Sequence, residues 1–303
     1  MQKIALDKFL IDHQLPLHYS HTIEDWFSSL AEKISKQQQQ TANTLVLGIN
    51  GAQGSGKSTL AKLLVQIFDQ DFALTAVVLS LDDFYYTGQE RKHLAKTIHP
   101  LLNTRGVPGT HDIPLAINTV QRLSTAEDIC CMPRFNKVTD DRYAETEWDT
   151  ISGHVDIIIV EGWCLGAQAQ HPDELVMPIN DLEAKEDSEK IWRSYVNNQL
   201  KVLYPALFSY IDVWIMLKAP SFECIYKWRL EQETKLRATI AQSPYSEKQN
   251  QNLMTEKDIA RFIKFYQRIT EHMLKTLPEK VDYLFELNQQ REIQRLIDNT
   301  HID

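Results

Sequence analysis

The chain has 303 residues, enough for one large α/β domain or two ordinary ones with a sizeable core. Its composition, 43% hydrophobic and 24% charged, is globular and excludes a low-complexity or fibrous chain. Thirty-two Lys and Arg against 41 Asp and Glu leave a net charge of −9, which argues against a general nucleic-acid or membrane binder but permits a local basic pocket for a small anion.

The first 36 residues place Phe9, Leu10, Trp26, Phe27, Leu30 and Ile34 at helical spacing among polar residues. Asp7 and Asp12 stand where a signal peptide would be uncharged, so a soluble cytoplasmic protein is expected. "KQQQQTAN" (36–43) reads as a solvated connector. A strand, "TLVLGIN", and an amphipathic helix from Lys57 with Leu60, Leu63, Leu64 and Ile67 on one side come next. "TAVVLSL" (75–81) is a second buried strand, and "DICCM" (128–132) is expected as a third. "VDIIIVEG" (155–162) is continuously β-branched, as in a strand covered on both faces; "IDVWIML" (211–217) and "VDYLFEL" (281–287) are similar. Helical stretches fall near 188–208, 221–241 and 255–276, and the acidic segment 170–190 reads as a loop or insertion. Strands alternating with helices predict an α/β fold with a doubly wound, mainly parallel sheet. No apolar run approaches the roughly 20 residues that span a bilayer. Cys130, Cys131, Cys164 and Cys224 lack metal-site spacing and read as buried free thiols.

The strongest signal is Gly51-Ala52-Gln53-Gly54-Ser55-Gly56-Lys57-Ser58, a G-x-x-x-x-G-K-[ST] loop set between a strand and a helix, with Thr59 following. Such glycines let backbone N–H groups turn inward around an anion, and the helix adds its N-terminal dipole. Lys57 is expected along the β- and γ-phosphates of ATP, and the Ser58 hydroxyl on Mg²⁺. Glu161 ends a buried strand and supplies a second metal anchor opposite Ser58. Asp156, at the start of that strand, is expected to be structural.

"VVLSLDD" delivers Asp82 and Asp83 to the carboxyl edge of the sheet, where doubly wound folds bind ligands. An aspartate there can accept a proton from an attacking hydroxyl. Neighbours on an extended chain point opposite ways, so one acid is expected to face the reaction and the other to do different work. Spacing alone leaves open which is which. Asp82, with Ser58 and Glu161, is also a candidate for the metal shell.

The phosphate loop, "SLDDFY", "HPLLNTRGVPGTHD" (99–112), "PRFNK" with "DDR" (133–142), "VEGW" and "WRLEQE" (228–233) together resemble the plant-type D-glycerate 3-kinase family and its fungal and bacterial relatives. More distantly they resemble uridine kinase, phosphoribulokinase and pantothenate kinase, all P-loop kinases. The likeness implies a P-loop kinase domain over 41–303 after an N-terminal helical segment and linker over 1–40. Acceptor-binding insertions would cover about 84–150 and a lid about 221–245. It implies Asp82 as catalytic base and Asp83 as secondary, and it matches Glu161 to the acid at the family's "EG" strand end.

The implied substrate is a small hydroxy acid, with no nucleic-acid or membrane partner. Its carboxylate needs Arg or Lys and its hydroxyls need polar groups. Arg105, Thr110, His111 and Asp112 in one loop, and Arg134, Lys137 and Arg142 in another, are the candidates; His99 is a further polar contact. Arg229 is the expected lid cation and Arg237 the second, with Glu231 and Glu233 as alternative helix-face partners. Trp163 is a candidate wall of the acceptor pocket, whereas "FIKFYQRITEHML" (262–274) reads as core; Arg268 has no assigned role. The expected activity is ATP-dependent transfer to D-glycerate. A nucleoside, pantothenate-like acid or sugar acceptor, and a nucleotide-dependent switch ATPase, are the alternatives.

Overall fold

In the structure, a computed structural model, residues 3–41, 43–125, 129–241 and 254–300 are described. Ten strands are present among them: Leu45–Gly51 (β1), Ala76–Ser80 (β2), Cys130–Met132 (β3), Phe135–Asn136 (β4), Asp141–Arg142 (β5), Asp149–Ile151 (β6), Ile157–Gly162 (β7), Val213–Lys218 (β8), Tyr283–Leu287 (β9) and Ile293–Asp298 (β10). Six form the central sheet in the order β10-β9-β8-β1-β7-β2. All its pairings are parallel except β9 with β10, an antiparallel hairpin at one edge.

The central strands are buried on both faces because both sides of each carry apolar residues. Val46, Ile158, Val160 and Met216 enter one core; Leu47, Ile49, Ile157, Ile159, Ile215 and Leu217 enter the other. The helices Lys3–Asp12 (α1), Tyr19–Thr22 (α2) and Ser28–Thr41 (α3) cover the second face together with Lys57–Phe72 (α4). Phe9, Phe27, Leu30 and Ile34 are nearly inaccessible there, and the Phe27 ring meets Phe285 of β9 edge-on at 5.6 Å. The N-terminal helices therefore share one core with the sheet. Residues 36–41 of the expected connector are instead the end of α3, which runs to Thr41 and buries Gln38. Gln38 projects toward the sheet edge beside Asp156, and a composition count does not register such a contact.

The opposite face is covered by Ile113–Ser124 (α6), Ile191–Val202 (α8), Tyr204–Phe208 (α9) and Glu256–Thr276 (α11). Gly88–Thr97 (α5), Asp181–Glu186 (α7) and Phe222–Ala241 (α10) complete the α-helices among the described residues. Two further expectations are corrected. "DICCM" does not join the central sheet: β3 pairs antiparallel with β6, and β4 with β5, in two small ribbons beyond its edge. Segment 170–190 is ordered by buried arginines rather than left as a plain loop. Arg268 of α11 donates to Glu183 (2.6 and 2.7 Å) and to the carbonyls of Glu174 and Met177, while Arg193 pairs with Asp187 at 2.8 Å. No described helix is long and apolar enough to cross a membrane.

Candidate active site

The parallel strands β1, β2 and β7 all end on one edge of the sheet, and their carboxyl ends deliver the site. After β1 the chain turns through the phosphate loop into α4. Gly54 takes φ +80°, a left-handed value, and a Cβ there would come within 2.9 Å of Trp228, so only glycine fits. Gly56, at φ 96°, caps α4.

Ser58 Oγ donates to Glu161 Oε1 at 2.9 Å, and Lys57 Nζ stands 3.7 Å from Glu161 Oε2. Glu161 is only 4% exposed, yet its Oε2 accepts no hydrogen bond among the described residues; Ser55 Oγ in the loop is likewise buried and unpartnered. Orphaned buried oxygens are costly unless a ligand completes them. An unsatisfied carboxylate oxygen beside a hydroxyl and an ammonium, under a helix N-terminus, fits Mg²⁺ and a polyphosphate. Ser58 and Glu161 could hold the metal through one or two protein oxygens, as Mg²⁺ prefers, and Lys57 the phosphates.

A cleft opens over this loop, lined by Gln53, Gly54, Lys57, Ser58, Ser80, Asp82, Tyr85, Arg105, Lys137, Glu161, Trp163, Arg229, Gln232, Phe262 and Tyr266. The segment carrying the two acids is not extended: Leu81–Phe84 is a 3₁₀ turn. Its roughly 120° per residue, rather than strand alternation, splays the two side chains. Asp82 lines the cleft, accepting from Tyr85 Oη at 2.8 Å and from Lys137 Nζ at 2.7 Å. Burial works to raise its carboxyl, but the charges of Lys137 and Lys57 and these hydrogen bonds win and hold it well below the usual carboxylate range. Asp83 turns away. It accepts from Phe135 N at 3.1 Å and pairs with Arg134 Nη1 at 3.0 Å, and burial raises its carboxyl above the ordinary value despite them.

Of the expected acceptor residues, Arg105 and Lys137 line the cleft. Arg134 does not; it is spent on Asp83 and on Asp149 at 2.6 Å. Thr110, His111 and Asp112 do not line it either. Thr110 Oγ1 closes its own turn, donating to Val107 O and accepting from Gly106 N. His111 is 1% exposed, stacked on Tyr85 at 4.6 Å, with Nδ1 2.6 Å from Tyr204 Oη; burial pushes its imidazole down to about 4. Asp112 caps α6 by accepting from Leu115 N and meets Arg142 at 3.3 Å. His99 caps a short turn through Leu101 N. Polar residues crowded in a loop here mostly satisfy that loop's own backbone.

Arg229 lines the cleft and is held at 3.0 Å by Glu233, itself only 2% exposed, one helical turn on. The Arg237 side chain lies outside the described residues. Trp163 donates to Gly106 O at 2.9 Å and meets Tyr266 edge-on at 4.8 Å. Sequence reasoning missed Tyr85, Gln232, Phe262 and Tyr266. The last two sit at apolar spacing on α11, and no sequence signal separates a core aromatic from one facing a cleft. Among the described residues no group of three or more His, Cys, Asp or Glu could hold a metal by itself, so any ion would depend on phosphate and water oxygens.

The sequence profile of the KAP family P-loop domain matches residues 24–299. The chloroplastic D-glycerate 3-kinase of Arabidopsis thaliana is 32% identical over 202 residues, 64% of this chain. The matched part spans 42% of that plant protein's length. An uncharacterized kinase of Schizosaccharomyces pombe is 30% identical over 261 residues, covering 82% of this chain and 87% of the yeast protein. Among solved structures, a D-glycerate 3-kinase from Cryptococcus neoformans superposes with a TM-score of 0.74 at 24% identity, covering 90% of this chain and 98% of that one.

Proposed function

This chain belongs to the KAP family P-loop domain, whose profile matches residues 24–299, and is a P-loop kinase similar to D-glycerate 3-kinase; from that premise we propose that it transfers the γ-phosphate of ATP to a hydroxyl of a small hydroxy acid, D-glycerate first. The observation that carries this reading is the meeting of Asp82 with Arg105 and Lys137 in the cleft that also holds Lys57, Ser58 and Glu161. A hydroxyl acceptor needs the first, a carboxylate the next two, and a nucleotide the rest.

In the proposed reaction, the loop of Gly51, Ala52, Gln53, Gly54, Ser55 and Gly56, with Thr59 behind it, cradles the phosphates while Lys57 neutralises them. Bound Mg²⁺, held through Ser58 and Glu161, would offset the charge developing on the phosphoryl oxygens. Asp82, held ionised, accepts the hydrogen bond of the attacking hydroxyl and takes its proton as the bond to the γ-phosphorus forms and the bond from that phosphorus to the β–γ bridging oxygen breaks, releasing ADP. Its low basicity suits a loose transition state, in which orienting the nucleophile matters more than removing its proton early. Asp82 is thus read as base rather than as a metal ligand: Tyr85 and Lys137 each take one lone pair of its oxygens and leave others for the attacking hydroxyl, while the Lys137 ammonium at 2.7 Å repels a second cation. Arg105 and Lys137 take the carboxylate. Arg229, on the proposed lid helix α10, approaches the transferring group and helps to exclude water. A cytoplasmic enzyme acting on a free metabolite, without nucleic acid or membrane, is part of the same reading.

The test is ADP release from the purified protein with Mg-ATP over a panel of D-glycerate, L-glycerate, uridine, pantothenate and ribulose 5-phosphate, beside a no-acceptor blank. Stimulation confined to glycerate is expected. Stimulation by uridine alone would move the acceptor class. Rates equal to the blank throughout, with ATP bound, would favour the switch ATPase.

A further inference from the structure

We propose that Asp140 is a positioning residue that sets the guanidinium of Arg105 for an anionic acceptor; this rests on the hydroxy-acid kinase reading.

Asp140 occupies the turn of the β4–β5 hairpin with φ 56°, a left-handed backbone uncommon for any residue but glycine, asparagine or aspartate. Strain of that kind persists where surrounding contacts enforce it. Here they come from two arginines. Arg105 Nη1 donates to Asp140 Oδ1, and Arg91 Nη2 lies 3.0 Å from Asp140 Oδ2. Arg91 is 1% exposed and also donates to the carbonyls of Tyr86 (3.1 Å), Asn103 (2.9 Å) and Asp140 itself. It is therefore fixed. Asp140 passes that fixity to Arg105, whose side chain is 28% exposed and lines the cleft.

The ring of Phe135 supports the arrangement from below. The Arg105 guanidinium carbon lies 5.4 Å from its centroid and that of Arg91 5.9 Å. Two cations this close repel unless a carboxylate sits between them, and Asp140 is that carboxylate. It grips one nitrogen of Arg105. Among the described residues Nε and Nη2 of Arg105 make no hydrogen bond, and together they form the edge that a carboxylate engages with two parallel bonds. Without Asp140, Arg105 would regain its rotamers and the acceptor would have to order it on binding.

Asp140→Asn tests this. Asparagine keeps the shape and tolerates the left-handed backbone, and Arg91 keeps its three carbonyl partners, so the fold should survive. The full-length variant is assayed with D-glycerate varied at saturating Mg-ATP. The KM for glycerate should rise about 10–100-fold, the range for removing a partner one step behind a ligand-holding group. The kcat and the KM for ATP should stay within about twofold, a split that a merely structural role would not give. Asp140→Gly, which relieves the backbone strain, should show the same rise. Combining either with Arg105→Ala should add nothing further. An unchanged or lowered KM for glycerate in both variants would overturn the proposal, making Asp140 a bystander or a competitor for Arg105. So would an equal fall in every parameter with a lowered Tm. If the wild type is not stimulated by glycerate, the hydroxy-acid kinase reading fails and takes this proposal with it; an active wild type with unmoved variants fails this proposal alone.

Discussion

Asp82 and Asp83 are adjacent, yet Asp82 meets Lys137 at 2.7 Å inside the cleft while Asp83 meets Arg134 at 3.0 Å outside it. The 3₁₀ turn that separates them assigns two jobs to one dipeptide. Asp82 faces the cleft. Asp83 fastens the segment that carries Lys137 and Asp140.

Asp82→Asn should therefore lower kcat by roughly 10²–10⁴-fold, the usual worth of general acid–base help. ATP affinity, followed by equilibrium titration with a fluorescent nucleotide, should be unchanged. Wild-type turnover in this variant would transfer the base role elsewhere.

Asp83→Ala should act on the fold first. It strips the Phe135 N–H and Arg134 of their acceptor, and an orphaned, partly buried donor costs about 1–3 kcal/mol. Urea unfolding should show that loss. Acceptor KM should rise with it as the hairpin loosens, while the KM for ATP stays put. A variant as stable as the wild type but with kcat down by hundreds-fold would contradict the assignment.

Ser58→Ala removes the hydroxyl hydrogen-bonded to Glu161. Turnover should then need several-fold more free Mg²⁺ for half-maximal rate, with glycerate KM little changed. Chelation by EDTA should abolish turnover in either protein, and Mg²⁺ should restore it. An unaltered Mg²⁺ titration would remove Ser58 from the metal site.

His111 predicts a pH dependence of stability. Burial lowers its imidazole from 6.5 to about 4, so between those values the unfolded chain binds a proton that the folded chain refuses. Stability is full above pH 6.5, falls as the pH drops, and stops falling on this account below about 4. The loss is on the order of 3 kcal/mol at 1.36 kcal/mol per unit. Asp83, raised by burial, works in the opposite sense at the acid end. Urea unfolding from pH 7 to pH 4 should show the slope, and His111→Asn should flatten it.

Gly106→Ala should destabilise and slow the protein together. Gly106 has φ +133°, and a Cβ would collide with the Tyr266 hydroxyl and ring. About 1–3 kcal/mol of backbone strain follows, before any repacking. Displacement of Tyr266 and of Arg105 next door should raise acceptor KM. Thermal melting and glycerate kinetics check both halves.

The sequence by itself determined five of the six strands of the central sheet, the phosphate loop and the edge at which acids gather. These rest on local order: apolar runs of strand length, one helical stripe, and glycines at fixed spacing before Lys57. Tertiary structure alone decided which polar residues are spare. Arg105 and Arg134 read alike in the chain, but Arg134 is consumed by Asp83 and Asp149 while Arg105 keeps an open edge. Thr110, His111 and Asp112 look like ligands in a list of residues, but Thr110 closes its own turn, His111 is bonded to Tyr204 and Asp112 caps α6. Tyr266, read as core, faces the cleft. Donors and acceptors are satisfied by partners tens of residues away, such as Asp140 on Arg91 and Arg105, and no local pattern carries that pairing.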